Sequence, residues 1–240
     1  MAFLSFQPIS RTLLRFLQHD CLLCGCTIHA EKSLLFGLCH HCHTNLIPIT
    51  ECCQRCAIPL PASQPLCGRC IADPPGFLFA HSATRYEGPI RSLIYQMKYQ
   101  HNKATIRLLA ELFFHSFPAG PPAIDLLLPV PMHFRRNLER GNNQCDLLAA
   151  AIGQKLGIRC DHRALARIRA TPTQQQLSAT ERKSNLKSAF RTKGKLAGLR
   201  IAILDDVHTT GSTMNEIAKT LKLAGAREVH AWSIARAVKE

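Results

Sequence analysis

The sequence has few acidic residues and no long apolar run. Its 240 residues include 16 Asp and Glu against 30 Lys and Arg, which gives a formal net charge of +14. No segment approaches the roughly 18 uninterrupted apolar residues of a membrane-spanning helix. Residues 1–8 lack the basic start of a signal peptide, and Arg11 and Arg15 interrupt the apolar stretch that follows. These absences predict a cytoplasmic protein without stable membrane insertion.

The chain also lacks the Gly-x-x-x-x-Gly-Lys-Ser/Thr spacing of a P-loop, and aromatic residues make up only 6% of it. Its basic excess is uneven. Residues 1–80 hold 5 Lys and Arg against 4 Asp and Glu, whereas residues 81–240 hold 25 against 12. A field of this sign attracts polyphosphates, nucleotides or nucleic acid, and the alternative is a generically basic surface that serves solubility.

The twelve cysteines are concentrated near the N-terminus. Residues 21–70 contain four Cys-x-x-Cys pairs: Cys21/Cys24, Cys39/Cys42, Cys53/Cys56 and Cys67/Cys70. Two such pairs complete a closed tetrahedral site, so the four pairs predict two structural zinc sites. Pairing of neighbours in sequence is the simplest assignment, and interleaved pairing stays open. Five other Cys and His of this segment are spare candidates that could replace a ligand: Cys26, Cys52, His40, His41 and His43. A redox or iron–sulfur role is disfavoured by the crowded, regular spacing.

The pattern of elements predicts an α/β fold. Asp73-Pro-Pro-Gly76 marks a boundary between an N-terminal zinc domain of residues 1–75 and a second domain of residues 76–240. Strands expected at 77–86, 126–131, 201–204 and 228–235 alternate with helices at 89–99, 104–117, 144–156 and 214–223. This alternation predicts a mostly parallel sheet with helices on both faces. Two further helices are expected at 3–18 and 178–189, and no strand is expected between 163 and 197.

The segment from Leu199 to Thr213 carries the clearest chemistry. A short, continuously apolar strand ends in Asp205 and Asp206, and a loop of small residues then opens a helix. The loop supplies hydroxyls and backbone N–H groups for a phosphate: Thr209, Thr210, Gly211, Ser212 and Thr213. The two carboxylates suit the hydroxyls of a ribose with a divalent cation nearby. Together they predict a site for a ribose 5-phosphate.

A basic loop follows the strand at 126–131 and contains Arg135, Arg136 and Arg140. Since ligands of α/β folds bind at the carboxyl ends of the strands, we expect these residues to face a pyrophosphate, the alternative being a solvated loop. Residues 163–197 are also basic and could form a lid or a track for single-stranded nucleic acid. The aromatic stacking platforms of such a track are scarce in the sequence.

The strand, acidic pair and Thr-Thr-Gly-Ser-Thr loop resemble the phosphoribosyl-pyrophosphate (PRPP) loop of type I phosphoribosyltransferases. Several further motifs are similar to those of the ComF family: the Cys-x-x-Cys cluster, Tyr86-Glu-Gly-Pro, Met97-Lys-Tyr99, Pro129-Val-Pro, Arg140-Gly-Asn-Asn-Gln144, and Ala170-Thr-Pro-Thr-Gln-Gln-Gln-Leu177 with Arg182, Asn185 and Phe190. Asn142 stands where that family usually has Phe. The resemblance implies a zinc finger joined to a type I phosphoribosyltransferase-like domain, and a role in natural transformation through handling of incoming single-stranded DNA.

Two functions remain open at this point. The first is a PRPP-binding protein that handles single-stranded DNA, in contact with a competence helicase or recombination protein. The second is an active transferase that moves 5-phosphoribose from PRPP to an acceptor. In the latter, Asp205, Asp206, Arg136 and Arg140 would be catalytic, with Mg²⁺ and the arginines stabilising the pyrophosphate leaving group. No dedicated general base and no nucleobase pocket are recognisable in the sequence.

Overall fold

A computed structural model describes residues 18–29, 37–61, 64–100, 102–117, 120–132, 143–169 and 189–238. The strands, in chain order, are β1 (Gln18–Asp20), β2 (Thr27–His29), β3 (Phe79–Arg85), β4 (Leu126–Pro129), β5 (Leu165–Arg167), β6 (Phe190–Thr192), β7 (Arg200–His208) and β8 (Glu228–Arg236). The helices are α1 (His40–Thr44), α2 (Gly68–Ala72), α3 (Pro89–Tyr99), α4 (Lys103–His115), α5 (Gln144–Leu156) and α6 (Ser212–Leu223).

A four-stranded parallel sheet in the order β3-β8-β7-β4 forms the centre of the fold. Side chains alternate between its two faces, as the pleat of a strand requires. Ala202 and Leu204 of β7 point into one core with α3, α4 and α5, and Ile201 and Ile203 point into the other with α6. The predicted α/β architecture, a parallel sheet with helices on both faces and a Cys-rich N-terminal part, is confirmed.

The Cys-rich segment contributes to both cores. Leu38 and Leu46 belong to the core of α3 and α4, and Ala57 belongs to the core of α6. Backbone contacts strengthen this packing: the N–H of Arg85 donates to the carbonyl of Ile47 at 2.8 Å. A division of the chain at residue 75 remains a prediction, while residues on either side of it pack together.

Element limits agree with the sequence within a few residues, and α5 ends at Gly157 with φ +67°, as its glycine predicts. One expectation was wrong: β5 and β6 pair antiparallel within the stretch that was expected to lack strands. Phe190 begins β6 and is buried in the core of α6. Each of these strands has only three residues, so the alternation of apolar and polar side chains is too short to indicate a strand. The expected helices at 3–18 and 178–189 lie outside the described residues.

None of the helices in the described ranges is long and apolar enough to cross a membrane.

Candidate functional site

The two carboxylates of the predicted site lie at the carboxyl end of β7, in the middle of the parallel sheet. The Nζ of Lys98, at the end of α3, contacts Oδ2 of Asp206 at 2.7 Å. The thiol of Cys145, in the first turn of α5, donates to Oδ1 of Asp205 at 3.8 Å, and the N–H of Asp206 donates to the same oxygen at 2.9 Å. Three elements distant in sequence therefore converge on the acidic pair.

Burial dominates the electrostatics of this cluster. Burial, and then the neighbouring charge of Asp206, raises the pKa of Asp205 to about 7. Burial alone would lower the pKa of Lys98, but the charge and hydrogen bond of Asp206 outweigh it, so the pKa of Lys98 is raised. Burial also raises the pKa of Cys145, so the thiol is neutral here. Cys145, Asp205 and Asp206 each place a donor atom within 4.8 Å of the others, and the two carboxylates suit a hard divalent cation.

The raised pKa of Asp205 predicts a pH-dependent effect of Asp205→Asn on stability. The folded chain keeps a proton that the unfolded chain releases above pH about 4. Wild-type stability therefore falls as pH rises from about 4 to about 7, by up to about 1.4 kcal/mol per pH unit. The Asn variant lacks this titration. The free energy of unfolding of the variant minus that of wild type should therefore increase between pH about 4 and about 7 and stay constant above that interval. Urea denaturation in half-unit pH steps measures the difference, and a pH-independent difference would contradict the assignment.

The loop after β7 turns sharply into α6. Gly211 has φ +77° and precedes the helix, and a Cβ at this position would lie 2.6 Å from Nε2 of His208. The hydroxyls of Thr210 and Ser212 are 2.9 Å apart. The turn places small side chains and the first N–H groups of a twelve-residue helix at the same sheet edge as Asp205. An anion is favoured there by the helix dipole and by these N–H donors.

Gly211→Ala is expected to disrupt this turn. The left-handed backbone disfavours any Cβ, and here the Cβ also meets the buried His208 ring. We expect a loss of stability of about 2 kcal/mol together with weakened phosphate binding. Gly194→Ala is the matched control, since Gly194 has φ +84° with no atom within 4 Å of the added Cβ. Thermal denaturation and calorimetric titration of both variants separate backbone strain from the His208 clash, and equal losses would exclude the clash.

The predicted arginine loop, with Arg135, Arg136 and Arg140, lies outside the described residues. Its two ends are described. Val130 follows β4, and Asn143 begins α5 by accepting a hydrogen bond from the N–H of Cys145 at 3.2 Å and donating to the carbonyl of Val130 at 3.3 Å. These contacts tie both ends of the loop to the sheet edge that carries Asp205. The role of the arginines remains a prediction.

The Cys-x-x-Cys pairs form two clusters, each able to hold a metal ion. One comprises Cys53, Cys56, Cys67 and Cys70, with all four sulfurs within 4.8 Å of one another. In the other, Cys21, Cys24, Cys26 and Cys39 are equally close. The Cys56–Cys67 and Cys24–Cys39 sulfurs are each 3.7 Å apart. Tetrahedral zinc with Zn–S bonds of about 2.3 Å requires sulfurs about 3.8 Å apart, so the donor sets fit this ion.

The two clusters are copies of one local structure. The N–H of Cys39 points to Sγ of Cys21 at 3.5 Å, and the N–H of Cys67 points to Sγ of Cys53 at 3.3 Å. In each copy the residue after the second Cys, Gly25 or Ala57, has positive φ. Cys39 and Cys67 are also equivalent, because each directly precedes a short helix, α1 and α2 respectively. Cys21 and Cys24 thus lie with Cys39, and Cys53 and Cys56 lie with Cys67 and Cys70, while the pairing of metal ligands remains a prediction.

The first cluster includes Cys26, which does not belong to a Cys-x-x-Cys pair. Cys26 occupies the position that Ile58 has in the second copy: the N–H groups of Cys21 and Cys53 donate to the carbonyls of Cys26 and Ile58 at 2.8 Å each. Cys42 corresponds to Cys70, and its N–H donates to Sγ of Cys39 at 3.4 Å. The sequence predicts Cys42 as a metal ligand, and this remains a prediction, because the first cluster already contains Cys26 as a fourth thiol.

The second cluster is tied to the loop after β7 by one buried arginine. Arg236, at the end of β8, donates from Nε to the carbonyl of Cys56 and from Nη1 to the carbonyls of His208 and Thr209. A cavity of about 310 Å³ lies beside this arginine, between the cluster and the start of α6. The second cysteine cluster and the loop after β7 are therefore mechanically connected.

Sequence reasoning missed Lys98, Cys145 and Arg236 as parts of the site. Met97-Lys-Tyr99 was noted as a motif, but nothing local shows that Lys98 reaches a strand more than 100 residues away. Cys145 directly follows the Asn-Gln that opens a helix. Arg236 follows an apolar strand, and a charge at the carboxyl end of a predicted buried strand was an available signal.

No model of a known protein family matches the chain. The "DNA utilization protein YhgH" of Salmonella typhi is 36% identical over 206 residues, which cover 84% of this chain and 91% of that protein. A solved adenine phosphoribosyltransferase from Thermoanaerobacter pseudethanolicus is 15% identical over 57% of this chain and 83% of its own, with a TM-score of 0.36, too low to support an argument. "Competence protein F" of Haemophilus influenzae is 33% identical over 233 residues, which cover 94% of this chain and all of that protein. This similarity, which extends over the Cys-rich segment and the parallel sheet alike, shows that the chain belongs to the ComF family of competence proteins.

Proposed function

We propose that this protein binds Mg²⁺ and PRPP at the carboxyl end of β7 and takes part in the uptake of DNA during natural transformation. The observation that carries the proposal is the convergence of Asp205 and Asp206 with the loop of Gly211 at one edge of the sheet. The loop and the start of α6 suit the 5-phosphate, while the two carboxylates suit the ribose hydroxyls. The cation would lie near Asp205 and Asp206, where it offsets their charge against the pyrophosphate.

Lys98 has a defined part in this proposal. Its ion pair with Asp206 neutralises one carboxylate while no ligand is bound. A cation held by Asp205 and Asp206 would compete with the Lys98 ammonium group for Oδ2 of Asp206, and the lysine would then be available to the pyrophosphate. The free chain is thereby kept compact around a pair of acids that would otherwise repel each other.

We assign zinc to the two cysteine clusters. Four sulfurs at tetrahedral spacing are the donor set of closed, structural zinc sites, which lack an open position for catalysis. The ion would fix the backbone around each cysteine cluster in the conformation that packs against the parallel sheet and its helices.

The DNA part of the proposal rests on the relatives and on charge. Competence protein F and the DNA utilization protein are both named for processes that involve DNA. Residues 81–240 carry 25 basic against 12 acidic side chains, which suits a polyanion. We therefore propose single-stranded DNA as a second ligand, handled by the same part of the chain that holds PRPP.

The test is fluorescence anisotropy of a labelled dT20 strand with zinc-loaded protein at fixed salt, followed by titration with Mg²⁺ and PRPP. We expect DNA binding, and a PRPP-induced change that Asp206→Asn abolishes. Calorimetry measures PRPP binding alone, and pyrophosphate release in the same samples reveals whether the chain also transfers phosphoribose. Absence of both PRPP and DNA binding by correctly folded protein would overturn the proposal.

A further inference from the structure

Two exposed tyrosines lie side by side on α3, with their rings tilted relative to each other. Tyr95 is 57% exposed and Tyr99 is 52% exposed, and their ring centroids lie 4.8 Å apart at an angle of 37°. The opposite face of the helix packs Ile90, Leu93 and Met97 into the core. The rings are four residues apart, so one face of α3 presents both to solvent.

The tyrosine pair belongs to a longer stripe along the helix. Arg91 lies one turn before Tyr95 on the same exposed face, and its guanidinium sits 5.4 Å from the centroid of the Tyr86 ring. Along the stripe, the Tyr86 ring with the Arg91 guanidinium over it is therefore followed by the rings of Tyr95 and Tyr99. This arrangement has a rigid base, because α3 is anchored to the Cys-rich segment by the Gln96 side chain, which donates to the carbonyl of Leu22 at 2.9 Å.

The stripe ends beside the acidic site. Lys98 is the neighbour of Tyr99 in the helix, and its ammonium group contacts Asp206. The end of α3 that carries Tyr99 therefore lies near the sheet edge proposed for PRPP. Residues 81–240, which include α3, carry 25 Lys and Arg against 12 Asp and Glu. Rings that stack, an adjacent guanidinium and a basic surround are the features of sites for unpaired nucleic acid.

We propose that the face of α3 formed by Arg91, Tyr95 and Tyr99 is a base-stacking surface for single-stranded DNA. The inference rests on the proposed function, and it assigns the DNA ligand to a specific place. The strand stacks its bases on the two tyrosines while Arg91 contacts its phosphates. Scarcity of aromatics in the sequence is no obstacle, since two rings on one helix face are sufficient for two bases.

The experiment compares Tyr95→Ala/Tyr99→Ala with wild type on two labelled 20-mers at the same salt: dT20 and an abasic strand of equal charge. Each lost stack reduces affinity about fivefold at the low end of the known range, so the double variant should bind dT20 about 30-fold more weakly. On the abasic strand, wild type and variant should bind equally. The slope of affinity against salt should also be unchanged, because the phosphate contacts remain.

Two controls accompany it. Tyr95→Phe/Tyr99→Phe keeps both rings and should retain wild-type affinity, and Phe114→Ala removes a partly exposed ring on α4, away from the stripe, and should have no effect. Circular dichroism and PRPP calorimetry check that the Ala variant is folded.

If wild type binds dT20 and the Ala variant binds it equally well, the stacking surface is overturned while the proposed function stands. If wild type binds no DNA, the DNA part of the proposed function fails and the surface fails with it. An equal loss on both strands would show that the tyrosines act on the backbone or the fold and would also overturn the stacking role. If the Ala variant instead turns a wild-type dimer into a monomer in sedimentation, with no change in DNA affinity, the face binds a second copy of this chain.

Discussion

Cys53→Ser should reduce bound zinc from two ions per chain to one and destabilise the whole protein. Cys53 is fully buried in a four-sulfur cluster, and a serine hydroxyl neither replaces the thiolate nor fills its volume. Structural zinc contributes about 10–16 kcal/mol in zinc-finger peptides, and 1 kcal/mol corresponds to about 2–4 °C in a domain of this size. Even partial loss should therefore lower Tm by more than about 10 °C, measured by thermal denaturation with metal analysis.

The same substitution should weaken PRPP binding, although Cys53 is far from the carboxylates in sequence. Arg236 donates to the carbonyl of Cys56 and to those of His208 and Thr209. If the segment around Cys56 is displaced, the loop after β7 therefore loses one of the contacts that hold it in place. Cys52→Ser is the matched control, because Cys52 is the adjacent thiol and is not part of the cluster. It should keep two zinc ions and wild-type PRPP affinity. A Cys53→Ser protein with two zinc ions and unchanged Tm would show that the cluster is not a metal site.

Local signals were enough to predict the sheet and the metal clusters. Continuous apolar runs at 126–131 and 201–204 are typical of strands in a sheet that is covered on both faces, and β4 and β7 lie there. Regular Cys-x-x-Cys spacing likewise predicts that the sulfurs lie close enough to share one ion. In both cases the information lies within a few consecutive residues, so no knowledge of distant contacts was needed.

The rest of the site depends on contacts between distant residues. Lys98 meets Asp206 only because α3 packs on the sheet through its apolar face, and no pattern around Lys98 encodes that distance. Tyr95 and Tyr99 are separated by four residues, which was visible, but their exposure depends on which face of α3 the core covers. The short antiparallel pair β5 and β6 was missed for a related reason: three-residue strands are stabilised by tertiary packing rather than by their own sequence.

Asp206→Asn should weaken Mg²⁺-dependent PRPP binding by about 10- to 100-fold, and the double variant Asp205→Asn/Asp206→Asn should abolish it. A hydrogen bond to a charged acceptor contributes about 1.5–3 kcal/mol, and the neutral amide also loses attraction for the cation. In the single variant, Lys98 is left partly buried without its partner, so some stability is lost as well. Calorimetric titration with Mg²⁺ and PRPP, beside urea denaturation, separates the two effects.

Asp125→Asn provides the matched control for this prediction. Asp125 pairs with Arg200 at 2.7 Å, at the opposite end of the same strand, so its loss removes a carboxylate and an ion pair without touching the site. It should lower stability slightly and leave PRPP affinity unchanged. Further removal of Lys98 as Lys98→Met in the Asp206→Asn background should restore stability but not binding, because the lost attraction for cation and ribose does not depend on the lysine. Unchanged PRPP affinity in Asp206→Asn would instead place the ligand elsewhere and leave the acidic pair as a structural partner of Lys98.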